Sequence, residues 1–216
     1  MDEILPGVFK WSVVWPQWTL ESYWLRFPDG SIVIDPMEMY GLDDITDAGD
    51  VVAIILTVGW HERQAHLFSK RTGAPIYVPA EDSCMLECLE SYETYGSDDE
   101  LPLGLQAIGI PGLTRGEQAL LAPCHGGTLV VGDALGTMAK WAPNNLPLGG
   151  HPTGHPQPRE TLGHLLDVEF VNLLPGHGEA ILQNGKDELR NLLLQDISTT
   201  TDSPRVTYFP KYPIKK

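Results

Sequence analysis

Apolar positions along the chain fall into short runs that switch between the period of a strand and the period of a helix. Residues 7–14 and 19–27 alternate or run apolar and aromatic, and residues 31–35 repeat the pattern, which predicts strands. Pro28-Asp29-Gly30 is a turn signal, so 19–27 and 31–35 are expected to form a hairpin. Residues 41–48 suit a short helix. The β-branched run 51–58 predicts a strand buried on both faces. Helical spacing resumes at Glu62–Thr72, with Gly73 as its stop, and 75–78 reads as a strand. A helix over Glu81–Tyr92 would turn Cys84, Cys88, Leu89 and Tyr92 inward.

The second half predicts strands near 105–110, 117–122, 127–132 and 168–174. A helix is expected from Pro158, with Leu162, Leu165 and Leu166 inward, and another over 186–197 with Leu189, Leu193 and Ile197 on one stripe. Residues 136–157, rich in Pro, Gly and Asn, predict a long loop of the kind that carries function. With no repeat and no linker, residues 1–216 read as one α/β domain whose halves each supply a sheet and helices, with a basic C-terminal tail at 203–216.

Charge narrows the function. Fourteen Lys and Arg against 29 Asp and Glu give a net charge of −15, which repels nucleic acid and anionic membrane surfaces. A small-molecule ligand is the expected partner, and nothing in the sequence indicates an oligomeric state. Three cysteines do not make a disulfide framework, and the N-terminus has no leader pattern, so a cytoplasmic location is expected.

Three strand ends carry the candidate chemistry. Strand 51–58 runs into Gly59-Trp60-His61-Glu62-Arg63, strand 127–132 into Asp133, and strand 168–174 into Pro175-Gly176-His177-Gly178. Crevices in α/β sheets open at the carboxyl ends of strands, and an imidazole and a carboxylate converging there are the raw material of a metal site.

In this order the motifs resemble the metallo-β-lactamase superfamily, whose members include glyoxalase II and many hydrolases. The resemblance spans roughly residues 5–180, from Leu5-Pro6-Gly7-Val8 through Ile34-Asp35-Pro36, Leu56-Thr57, Pro111-Gly112-Leu113-Thr114 and Gly132-Asp133 to His177. It implies a four-layer αββα sandwich and a hydrolase-like protein with a degenerate metal site. Read without a gap, Val58 and Trp60 replace the two histidines of the family's His-x-His-x-Asp-His, Leu113 a third, and Glu62 and Arg63 the Asp and His of the second metal site. None of Val, Trp and Leu can donate a lone pair to a metal. A second register sets Trp60-His61 against Asp-His and keeps His61 as a ligand.

Two main readings follow. In the first, no cofactor binds, Arg63 pairs with Asp133 in place of a metal, and metal-dependent hydrolysis is weak or absent. In the second, one Zn (or Fe or Mn) is held by His61 or Glu62 with Asp133 and His177, leaving a position for water, as in a mononuclear hydrolase of an ester, thioester or lactam. A full dinuclear hydrolase is a third, and a non-catalytic binding or scaffold protein on the same fold stays open. Trp60 and Arg63 are crevice candidates, and His151 and His155 in the long loop are candidates for binding substrate.

Overall fold

The computed structural model describes residues 1–15, 18–37, 42–138, 148–150 and 161–194. The first sheet has seven strands in chain order: β1 (Asp2–Leu5), β2 (Val8–Trp15), β3 (Trp18–Phe27), β4 (Gly30–Ile34), β5 (Val51–Ile55), β6 (Ile76–Pro79) and β7 (Glu93–Tyr95). Pairing is antiparallel from β1 to β4 and parallel from β4 to β7. The parallel crossovers carry helices α1 (Leu42–Ala48) and α2 (Ala65–Thr72). Gly73 ends α2 in the left-handed conformation, as its position in the sequence predicts.

The second sheet joins β8 (Glu100–Leu101), β9 (Leu105–Gly109), β10 (Gln118–Ala122) and β11 (Thr128–Val131). After a small ribbon, β12 (Leu135–Gly136) with β13 (Gly149–Gly150), the strand β14 (Asn172–Pro175) adds parallel to β11. Helix α3 (Gly185–Leu194) follows.

Period-two alternation sorts the strand residues into layers. Ile32, Ile34, Ala53 and Ile55 of the first sheet meet Leu105, Leu120, Val130 and Leu174 of the second in the central core. Val33 and Ile54 point the other way, onto Ile45 of α1 and Phe68 of α2. Leu129, Val131 and Leu173 point outward under Leu189, Leu192 and Leu193 of α3. Three apolar interfaces therefore separate four layers, αββα. Among the described residues no helix is long and apolar enough to cross a membrane.

Several elements differ from the sequence expectation. The helix expected over Glu81–Tyr92 is a 3-10 turn, Ala80–Met85, followed by irregular chain. Its amides are taken elsewhere: the Glu62 carboxylate accepts from Glu87 N and Cys88 N, both at 2.7 Å, which diverts these two N–H groups from a helical ladder. Cys84 and Cys88 are consequently exposed rather than inward, and Tyr92 is exposed as well. Helix α2 starts at Ala65, because Gly59–Glu62 forms a separate 3-10 turn. Leu162 and Leu165 are fully buried as expected, but Gly163–Asp167 is 3-10 rather than α-helical. Strand β14 runs Asn172–Pro175, so it starts later than 168 and ends one residue past 174. The tail at 203–216 and Ile197 lie outside the described residues.

Candidate metal centre

Four strand ends meet at one edge of the sandwich. Beyond β4 comes Asp35, beyond β5 the turn with Trp60 and His61, beyond β11 Asp133, and beyond β14 His177. The last two can meet because glycine precedes each. A Cβ on Gly132 would lie 2.5 Å from Thr57 Oγ1, and one on Gly176 2.8 Å from Gly132 O.

His61, Asp133 and His177 are buried and each offers a ligand atom, all within 4.8 Å of one another. Asp133 Oδ1 lies 3.0 Å from His61 Nε2 and 2.8 Å from His177 Nε2. The far sides of both rings are fixed. His177 Nδ1 donates to Thr19 O at 2.7 Å, and His61 Nδ1 to Asp35 Oδ2 at 2.9 Å. Asp35 is itself held by the Thr57 amide at 2.8 Å and the Thr57 hydroxyl at 2.5 Å. Trp60 Nε1 donates to Asp133 Oδ2 at 2.6 Å, which leaves Oδ1 turned to the imidazoles.

Donor and acceptor accounting gives the chemistry. Each imidazole has Nδ1 against an acceptor and Nε2 against the same carboxylate oxygen. A neutral imidazole carries one N–H, so each ring needs either a second proton or a cation between Nε2 and Asp133. A carboxylate or carbonyl behind Nδ1, with Nε2 turned to a shared point, is the outer support that metal-binding histidines receive. The residues fit one small divalent cation.

Burial and Arg63 lower the His61 pKa, but the carboxylates of Asp133 and Asp35 outweigh them and push it up to about 9. Burial would raise Asp133, yet His61 and His177 hold it well below the usual carboxylate range. Asp35 is lowered against its burial by His61, Arg63 and Thr57. Next to them Glu117 is fully buried; burial first and Asp133 second push it up to about 8.

Of the residues singled out in the sequence, His61, Asp133 and His177 come together. Glu62 does not join them, because its carboxylate is turned onto the amides of Glu87 and Cys88. Arg63 is in the crevice but makes no ion pair with Asp133 or Glu62. Its Nη1 donates to Glu21 O and Asp35 O, both at 2.8 Å, and its Nη2 lies 3.1 Å from His61 Nε2. The backbone at Arg63, φ 41° and ψ −114°, aims the side chain at those carbonyls rather than across to Asp133. Val58 is fully buried. His151 and His155 lie outside the described residues.

Sequence reasoning did not assign Asp35 and Thr19 their roles behind the two imidazoles, and it missed Glu117 altogether. Asp35 had a signal, an acid directly after a buried strand; the Thr19 carbonyl had none. Trp18, beside Thr19, sets its ring 5.5 Å from that of His177.

Comparison with known proteins agrees with the four-layer fold. The family model described as the Metallo-beta-lactamase superfamily matches residues 4–195. No curated protein sequence matches the chain. Among solved structures, the chain is similar to a metallo-beta-lactamase family protein from Thermus thermophilus, at 16% identity and a TM-score of 0.64, over 88% of this chain and 79% of that one. It is similar to the FEZ-1 metallo-beta-lactamase from Legionella gormanii, at 16% identity and a TM-score of 0.56, over 79% and 76% of the two chains. A protein crystallised in a di-iron-bound form matches at 19% identity and a TM-score of 0.57, over 81% of this chain and 98% of that one. With four layers and a family match over residues 4–195, the chain belongs to the metallo-beta-lactamase superfamily.

Proposed function

We propose that this protein is a hydrolase-type member of its family with a mononuclear metal centre, ligated by His61, Asp133 and His177. The observation that carries this reading is the shared oxygen: both Nε2 atoms face Asp133 Oδ1 while both Nδ1 atoms are committed behind. Two imidazoles and one carboxylate suit Zn, Fe or Mn and leave a position for water. A cation held there supplies Lewis acidity and acidifies bound water, the chemistry needed to open an ester, thioester or lactam.

The chain's own residues do the rest. Asp35 and the Thr19 carbonyl fix each ring's tautomer and direction, and Trp60 fixes the rotation of Asp133. Trp18 lines the His177 side of the crevice with an aromatic surface for a small molecule.

A second reading, a metal-free binding protein on the same fold, is favoured by one observation, the Arg63 guanidinium nitrogen beside His61 Nε2. The test separates them. Chelator-treated protein is reconstituted with Zn, Fe(II) or Mn, dialysed, and assayed by elemental analysis and with ester, thioester and lactam substrates. The mononuclear reading expects about one metal per chain in the wild type, lost in His61→Ala, Asp133→Ala and His177→Ala together with hydrolysis. Metal content near zero in the wild type, or unchanged in all three variants, refutes it.

A further inference from the structure

We infer that Arg63 is the residue that sets the metal affinity of this centre, because its guanidinium lies against the same His61 nitrogen that would face a metal ion. This rests on the mononuclear reading above. Arg63 directly follows the turn Gly59–Glu62 and has φ 41° and ψ −114°, a backbone conformation that favours glycine. A side chain held in such a conformation calls for compensation, and the hydrogen bonds supply it. Nη1 donates to two backbone carbonyls, Glu21 O and Asp35 O, each at 2.8 Å. Nη2 lies 3.1 Å from His61 Nε2.

His61 has one nitrogen to spare. Nδ1 is committed to Asp35 at 2.9 Å, so Nε2, which faces Asp133 Oδ1 at 3.0 Å, is the one ring nitrogen left for a cation. A metal–imidazole bond is about 2.0–2.1 Å long. A guanidinium nitrogen 3.1 Å from Nε2 leaves no room for an ion between the two. The two occupants therefore exclude each other. Metal binding requires Nη2 to move off His61, and the displaced guanidinium remains beside the ion as a second positive charge, tethered by its carbonyls. Both effects weaken metal binding relative to what His61, Asp133 and His177 would achieve alone. Arg63 is thus an affinity-determining residue that ligates nothing.

The measurement is Zn²⁺ affinity of chelator-treated protein at one fixed pH, read by competition against Co²⁺ absorption. It is made for the wild type, Arg63→Gly, Arg63→Met and His61→Ala, with near-UV circular dichroism recording the fold of each. Glycine suits the backbone conformation at this position, so Arg63→Gly removes the guanidinium without adding strain there, and Arg63→Met is the second test if the loop collapses. The expected result is zinc binding on the order of tenfold tighter or more in both Arg63 variants, the effect of removing one unit charge a few ångströms from the ion. His61→Ala should lose binding. If folded Arg63 variants bind zinc no tighter than the wild type while His61→Ala still loses it, the competition is refuted and the mononuclear centre stands. If neither the wild type nor any Arg63 variant binds zinc, both fail.

Discussion

Asp82 should be among the most costly single residues to truncate, although it lies far from any candidate ligand in sequence. It is fully buried on the turn Ala80–Met85. Its Oδ2 accepts from Gly59 N at 3.1 Å and Thr114 Oγ1 at 2.7 Å, and its Oδ1 from Gly116 N at 2.9 Å. Asp82→Ala strands these three buried donors. Each stranded donor costs about 1–3 kcal/mol. The Thr114 hydroxyl can rotate and still accepts from Glu117 N, so the two amides dominate. Relief of the buried charge offsets part of the loss, which leaves roughly 3–5 kcal/mol. Asp82→Asn should cost nearly as much, because its NH2 must face either the Gly116 amide or the Gly59 and Thr114 donors. Gly59 directly precedes Trp60 and His61, so the loosened turn should also weaken metal binding. Urea unfolding measures the first effect and metal titration the second. A loss below about 1 kcal/mol in both variants would refute the donor accounting.

Two further predictions concern buried carboxyls. Glu117 receives little: Oε1 accepts from Ala134 N at 2.8 Å and Oε2 has no hydrogen-bond partner. Its folded-state pKa of about 8 lies above the unfolded value of about 4.3, so the folded protein holds the extra proton between those pH values and the stability this group allows falls as pH rises through that window. Glu117→Gln should flatten the decline by about 3–5 kcal/mol in chelator-treated protein unfolded at pH 5 to 9, and superimposable profiles would count against it. Glu62→Ala should cost about 2–3 kcal/mol and open residues 86–92 to limited proteolysis while leaving metal stoichiometry unchanged; a lost metal would return Glu62 to the ligands.

The parts of the fold legible in the sequence are those where a local pattern and the tertiary environment agree. The run at 51–58 is β-branched because strand β5 is covered on both faces, and the three ligand-bearing strand ends follow from such runs. The helix expected over Glu81–Tyr92 failed for a non-local reason. Its amides answer to Glu62, well upstream in the chain, and periodicity carries no trace of that. The Arg63–Asp133 pair failed in the same way. Spacing puts Arg63 two residues from His61, but its direction is set by a positive φ at a residue that is not glycine, which no sequence pattern announces. The support behind His61 was equally out of reach, because the Asp35 carboxylate meets His61 Nδ1 only once β4 and β5 lie side by side.

What stands where the family's motif has changed is informative for the same reason. A crevice built to gather carboxylates and imidazoles around cations would be left with orphaned acceptors if its ligands were replaced at random, and buried orphans are costly. The polar side chains of this crevice answer its acceptors. Trp60 supplies an N–H to Asp133 Oδ2, and Arg63 supplies two to the carbonyls of Glu21 and Asp35. Val58, whose side chain can donate nothing, is fully buried. The Trp60 and Arg63 donors each meet an acceptor that faces the crevice. Under the mononuclear reading proposed above, that match belongs to a polar network gathered around His61, Asp133 and His177.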